Sequence, residues 1–104
     1  MPDLKEIQDL TNAEIVLMAN EKGDIIDSIN VEYDSNIALM TETAFTMCDE
    51  LSQDLINGHL DQLVAKTSEG YFIANKIDSE FIILIASRDL SKLGLLLKYM
   101  SNIK

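Results

Sequence analysis

Few side chains in this sequence could carry covalent or metal chemistry. Cys48 falls on the apolar side of a predicted helix, where a thiol behaves as a small hydrophobe and is a poor nucleophile. His59, the one histidine, follows Gly58 and lies near Asp61, which is typical of a solvated turn residue. Because a zinc site needs three or four ligands, these two groups predict no metal site.

The sequence also lacks the other common signatures of catalysis. Its four glycines are isolated and form neither a phosphate-binding loop nor a dinucleotide-binding loop. Acidic pairs such as Asp24 and Asp27 do not match a calcium loop, and their spacing does not establish acid–base catalysis. Arg88, the one arginine, could neutralise charge in a GTPase partner, but just after a strand it is expected to bind carbonyls or pair near Asp89. We therefore expect a protein that is not an enzyme and uses no cofactor.

Composition narrows the class of protein further. The 104 residues suit a single domain, residues 1–104, and the formal net charge of −10 argues against binding nucleic acid or anionic lipid. No run approaches the roughly 20 apolar residues of a membrane span, and the first ten residues are too charged for a signal peptide. One cysteine cannot form an internal disulfide, so we expect a cytoplasmic protein.

Hydrophobic periodicity and turn residues predict eight elements in the order α-β-β-α-β-β-β-α. Strands are predicted over residues 15–19, 25–31, 62–67, 71–77 and 81–87. Helices are predicted from the Asp3 cap to Thr11, from Asp34 or Ser35 to Asn57 with Gly58 as the stop, and from about Leu90 to Met100 with Asp89 as the cap. One side of the first helix is expected to hold Leu4, Ile7 and Leu10, and one face of the second strand Ile25, Ile29 and Val31.

The polarity of the strands predicts their order in the sheet. Runs 15–19 and 81–86 are apolar on both faces, so we expect central strands with helices above and below them. Joining the first hairpin to the later three-stranded meander through these two strands gives the order 2-1-5-4-3. The predicted fold class is α/β, a three-layer α/β/α domain around a five-stranded antiparallel sheet.

The long helix is too apolar to rest on a sheet alone. At 100° per residue its apolar side chains occupy about half of the circumference, whereas packing on a sheet needs a stripe of about 100°. The set comprises Ile37, Ala38, Met40, Ala44, Phe45, Met47, Cys48, Leu51, Leu55 and Ile56. At about 2 kcal/mol per large side chain, exposing three or four of them forfeits roughly 6 to 8 kcal/mol. Burial against an identical helix of a second copy is the simplest solution, although the domain's own loops or last helix could cover the same flank.

The opposite face of this helix is polar and acidic. It carries Glu42, Thr43, Thr46, Asp49, Glu50, Gln53 and Asp54. Residues 23–65 contain nine acidic side chains and no lysine or arginine. Such a face is either a solvated surface or a docking surface for a basic partner, whose approach the charge would steer.

Several segments resemble the Roadblock family, which includes the dynein roadblock-type light chains. Strand 15–19 followed by NEKGDIIDS at residues 20–28 resembles the opening hairpin of that family. LIAS at residues 84–87, leading into LGLLLK at 93–98, is similar to the family's last strand and last helix. Gly94 matches a small residue of that helix, and we expect close packing on the sheet to require it, because a glycine inside a helix costs about 1 kcal/mol.

This resemblance implies a homodimer that binds, and in some way regulates, a small Ras-like GTPase without being an enzyme. Roadblock domains pair through the long helix and the strand after it, which joins two sheets into one. The implied dimer residues are Ile37, Met40, Ala44, Phe45, Met47, Cys48, Leu51, Leu63, Val64 and Ala65. The implied GTPase-facing residues on the outer helix face are Leu39, Glu42, Thr46, Asp49, Glu50 and Gln53.

Two other functions stay open at the level of sequence. A structural adaptor could hold a peptide of a larger motor or signalling assembly on the joined sheet. A small-molecule sensor of the profilin-like or PAS/GAF-like kind shares the same layering of helices on a sheet, but it needs a cavity with convergent polar groups. The bulky aliphatic residues of the inner strands are expected to fill that space.

Overall fold

The computed structural model describes residues 3–103, so the first two residues and the last residue of the predicted domain lie outside it. Three α-helices are present in this range, α1 (Leu4–Thr11), α2 (Asp34–Ile56) and α3 (Leu93–Ser101). The strands are β1 (Ile15–Asn20), β2 (Ile25–Ile29), β3 (Gln62–Lys66), β4 (Tyr71–Ile77) and β5 (Phe81–Ser87). The predicted elements and their order are confirmed, and no helix in the described range is long and apolar enough to cross a membrane.

The five strands form one antiparallel sheet in the predicted order β2-β1-β5-β4-β3. β1 and β5 are central and their middle residues are buried on both faces. One face, with Val16, Ile73 and Ile85, packs against α1 and α3. The other, with Leu17 and Ile82, packs against α2, which gives the three-layer arrangement.

A β-bulge changes the face that part of β2 presents. The pairing with β1 shifts between Met18 and Ala19, so Ile29 faces the α1 and α3 side whereas Ile25 faces α2, because one extra residue inverts the alternation of a strand. Val31 also packs on the α2 side, and it follows the left-handed Asn30 (φ 60°) beyond the end of the strand. The prediction that Ile25, Ile29 and Val31 share one face is therefore wrong. β2 also ends at Ile29 rather than at residue 31.

The first helix buries a different set of side chains from the one predicted. Asp3 caps it by accepting the Lys5 N–H at 3.0 Å, and Leu4 and Ile7 are buried as expected. Leu10, however, is 63% exposed, and Thr11 is buried in its place. Positions 4, 7 and 11 lie within one narrow helical stripe, which leaves position 10 outside it.

Helix ends and the last helix need three corrections. Asn57, not Gly58, is the left-handed residue that ends α2, with φ at 56°. The chain after the Asp89 cap starts as a 3₁₀ turn (Leu90–Lys92) and becomes α-helical only at Leu93. Gly94 is exposed, and a Cβ there would meet nothing within 4 Å, so packing on the sheet does not require a glycine.

Candidate interaction surface

α2 buries only a narrow stripe on the sheet. Its buried residues are Ala38, Thr41 and Phe45, and the helix lies over β1, β2 and β5. Phe45 is 1% exposed and packs beside Leu17 and Ile82 in the domain's own core. Phe45 was among the predicted dimer residues, and this burial removes it from any surface that a second copy could contact.

One flank of α2 carries an uncovered apolar stripe. We call Met40, Ala44, Met47, Leu51 and Leu55 the apolar flank. Met47, Leu51 and Leu55 are 64%, 55% and 71% exposed, and the 4-3-4 spacing from Met40 to Leu51 is that of a coiled-coil seam. The prediction that this helix has more apolar surface than the domain covers is confirmed.

The apolar flank continues into a groove over the sheet. Because α2 lies towards β1 and β2, part of β4 and β3 on the same side stays open, and a groove of about 420 Å³ results. Its sheet side includes Leu63, Phe72, Ala74, Leu84 and Ala86, and its helix side includes Ile37, Met40 and Ala44. Phe72 and Ala86 were not among the predicted interface residues, although the alternation of β4 and β5 could have placed them on this face.

The two edge strands differ in how open they are to pairing. β3 pairs with β4 over five residues in regular register, and in the described chain no strand lies on its other side. Leu63 and Ala65 are half-buried on the α2 side of the sheet. Val64 lies on the opposite side, with α1 and α3, because it pairs with Ile73, which packs in the core on that side. β2, by contrast, is interrupted by its bulge, a feature that discourages edge-to-edge pairing. β3 is thus the more open edge.

The other flank of α2 is acidic and faces the β1–β2 turn. Leu39 is 54% exposed and lies against Gly23, where a Cβ would come 2.9 Å from Leu39 Cδ1. Glu42 is half-buried and accepts the Thr46 hydroxyl at 2.7 Å, while Glu50 is exposed. These four predicted partner-facing residues (Leu39, Glu42, Thr46 and Glu50) lie on the surface.

Asp49 and Gln53, from the same predicted set, contact this chain instead of solvent alone. Asp49 Oδ1 accepts the Leu60 N–H at 2.6 Å and lies 3.5 Å from His59 Nδ1, and Asp49 Oδ2 accepts from Gln53 Nε2 at 3.0 Å. The hydrogen bond from the Leu60 backbone is the main cause that holds the pKa of Asp49 below its ordinary value of 3.8. Spacing on a helical wheel could not reveal this contact, because Leu60 lies beyond the end of the helix.

The candidate chemical groups do not converge on one site. Cys48 is a half-buried free thiol on α2, and His59 pairs with Asp49 rather than approaching Asp61. Arg88 Nε lies 3.5 Å from Glu14 Oε2, so its acidic neighbour in the structure is Glu14, just before β1, rather than Asp89 itself. Residues 3–103 contain no group of three or more His, Cys, Asp or Glu side chains placed to hold a metal ion.

Comparison with known proteins gives matches in structure but not in sequence. No protein-family model and no curated protein sequence matches the chain. MglB of Myxococcus xanthus is similar with a TM-score of 0.79 at 14% identity, covering 93% of this chain and 84% of that one. A second structure, described as MglB with a tetrameric arrangement, has a TM-score of 0.78 at 14% identity, covering 95% of this chain and 79% of that one. A Roadblock/LC7 domain of Streptomyces avermitilis has a TM-score of 0.70 at 10% identity, covering 86% of this chain and 79% of that one.

This chain has the Roadblock fold. The resemblance drawn from residues 20–28, 84–87 and 93–98 is confirmed at the level of fold. In the Roadblock fold of this chain, the long helix and the strand after it are the elements that carry the apolar flank and the open β3 edge.

Proposed function

We propose that this protein is a non-enzymatic, homodimeric interaction module that binds a small Ras-like GTPase. The observation that carries the proposal is the apolar flank of α2, which the domain itself leaves exposed next to the unpaired edge of β3. At about 2 kcal/mol for complete burial of each large side chain, leaving the exposed parts of Met47, Leu51 and Leu55 in water costs roughly 4 kcal/mol, a large share of the net stability of a small domain. The free thiol of Cys48 favours a reducing compartment such as the cytoplasm.

A second copy is the partner that fits this surface best. The seam-like spacing of the apolar flank suits packing against another helix of the same kind, and a regular edge strand can pair with its own copy across a two-fold axis. None of the five residues of the apolar flank is charged, so two copies can meet along them without bringing like charges into contact. The tetrameric arrangement described for MglB is consistent with a fold that self-associates.

The GTPase is assigned to the acidic flank. Roadblock-type proteins regulate Ras-like GTPases, as the family resemblance implies, and the outer helix face is where they meet them. In this chain that face presents Leu39, Glu42, Thr46 and Glu50, an apolar centre with two carboxylates beside it. We propose that a homodimer presents two such faces as one platform, which favours one state of the GTPase switch loops without donating a catalytic group.

Titration calorimetry with small GTPases encoded in the same genome tests this assignment. Each GTPase is loaded with GDP or with a non-hydrolysable GTP analogue, and the expected result is that one form binds at least about tenfold tighter than the other. The Leu39→Glu variant should lose this binding, whereas Leu95→Glu, which alters an exposed leucine of α3 outside both flanks of α2, should keep it. Binding that ignores the nucleotide, or that survives in Leu39→Glu unchanged, would contradict the proposal.

The open groove favours a structural adaptor as the second candidate. Its lining is almost entirely apolar, and its volume of about 420 Å³ is large enough for side chains of a bound peptide. An adaptor would bind its peptide regardless of the nucleotide state of any GTPase, so the same calorimetry separates the two functions. The small-molecule sensor has less support, because this groove brings together few polar groups that could orient a metabolite.

A further inference from the structure

The C-terminal half of α2 packs less tightly on the domain than the N-terminal half does. Every buried residue of α2 lies at or before Phe45, so residues 46–56 contribute no buried side chain. The same half carries Met47, Leu51 and Leu55, three of the five residues of the apolar flank. Its direction relative to the sheet therefore depends on the partial burial of Cys48 and Ser52 and on polar contacts, rather than on a fully buried side chain.

Asp49 provides the contact that ties this half of the helix to the rest of the chain. Of the side-chain hydrogen bonds that residues 46–56 make within the described range, the one that leaves the helix joins Asp49 Oδ1 to the Leu60 N–H. His59 Nδ1 lies 3.5 Å from the same carboxylate oxygen and adds a second contact at this point of attachment. Gln53 Nε2 donates to the other carboxylate oxygen and so keeps the Asp49 side chain in place.

The segment that Asp49 holds is itself well fixed. Leu60 packs against the core beneath α2, and β3 begins two residues later at Gln62. Gln62 Nε2 donates to Asn75 Oδ1 at 3.0 Å and to the Leu97 carbonyl of α3 at 3.1 Å. The start of β3 is thus anchored to β4 and to α3, and it offers a rigid point against which the helix can be held.

We propose that Asp49 is a positioning residue for self-association. By joining the free half of α2 to the loop before β3, it holds the apolar flank and the open strand edge in one geometry. A second copy must contact the apolar flank and the β3 edge at the same time. If these two features could move relative to each other, that motion would have to be lost when the dimer forms, and the entropy cost would weaken the dimer. This inference rests on the proposed homodimer and gives Asp49 an intramolecular role rather than one in contacting a GTPase.

Sedimentation equilibrium on the wild-type chain and three variants tests the role of Asp49. Asp49→Ala removes the acceptor, and its dimer dissociation constant is expected to rise about tenfold, which corresponds to about 1.4 kcal/mol. Asp49→Asn keeps an oxygen that can accept the Leu60 N–H and should recover part of this loss. Glu50→Ala removes the same charge from the adjacent exposed position and should stay within twofold of the wild type.

Hydrogen exchange of the Leu60 amide reports independently whether the attachment is broken. Faster exchange at Leu60 in Asp49→Ala together with the weaker dimer supports the proposal. Faster exchange with an unchanged dissociation constant overturns it, and so does an equal loss in Glu50→Ala, because charge rather than attachment would then be the cause. A wild-type chain that stays monomeric overturns the proposed function as well, which separates that failure from failure of the inference alone.

Discussion

At the scale of single residues, Asp49 links the electrostatics of this protein to its architecture. Its carboxylate accepts a backbone N–H that the loop after α2 would otherwise leave to water. A hydrogen bond to an ionised acceptor is stronger than one between neutral groups, which is why the charged form of Asp49 is favoured in the folded chain. The stability that Asp49 contributes must therefore depend on pH.

The sign of that dependence follows from the lowered pKa of Asp49. A carboxyl group whose pKa is lower in the folded chain stabilises the fold above its ordinary value of 3.8, and the contribution is lost as the pH falls through the folded value. We expect Asp49→Asn to unfold at lower urea concentration than the wild type at pH 7, and the difference to shrink below pH 3.8. A difference between the two urea midpoints that stays constant down to pH 2 would contradict this.

At the scale of secondary-structure elements, two glycines differ in whether their surroundings leave room for a side chain. Gly70, with φ at +158°, closes the turn between β3 and β4, and a Cβ there would lie 2.5 Å from the Ser87 carbonyl oxygen. Gly94 lies inside α3 in open space. The sequence does not reveal this difference, because both residues appear in it simply as isolated glycines.

We expect the same substitution to have opposite effects at these two positions. Gly70→Ala forces the backbone of β5 to move and should lower the free energy of unfolding by about 1 to 3 kcal/mol. Gly94→Ala replaces a poor helix former without a clash and should raise it by up to about 1 kcal/mol. Urea denaturation of the two variants measures both changes, and a destabilised Gly94→Ala would show that the position has a packing role after all.

How far the sequence predicts this structure depends on the range of the interactions involved. Strand order follows from apolar runs such as residues 15–19, because a strand buried on both faces must be central. The bulge that turns Ile29 away from Ile25 leaves no mark in the alternation. Phe45 and Leu51 both belong to the apolar side of α2 that the sequence predicts, yet Phe45 is buried and Leu51 is exposed. Only the position of α2 on the sheet decides which of the two is covered. The Asp49–Leu60 bond likewise depends on the path of the loop.

At the scale of the whole molecule, the net charge of −10 opposes self-association. A dimer carries twice this charge, and its two halves repel each other outside the apolar seam. Because the Debye length falls from about 30 Å at 0.01 M salt to about 8 Å at 0.15 M, added salt should screen the repulsion and tighten the dimer. Dissociation constants measured by sedimentation at several sodium chloride concentrations check this, and a dimer that weakens steadily with salt would indicate that ion pairs hold it together.

The same charge should act in the opposite direction on a basic partner. Acidic groups beside Leu39 would attract such a partner, so its association rate should fall as salt rises. Stopped-flow mixing at low and high salt measures the rate, and an association rate that does not respond to salt would remove the steering role from the acidic flank.

The mass of the chain in solution tests the central claim most directly. Sedimentation equilibrium at micromolar concentration should give twice the 11.6 kDa of one chain. Leu51→Glu should return the mass to that of a monomer, while Leu39→Glu, which alters a leucine of nearly equal exposure on the other flank, should leave the dimer intact. A wild-type mass of 11.6 kDa at every concentration, or a dimer indifferent to Leu51→Glu, would contradict the account.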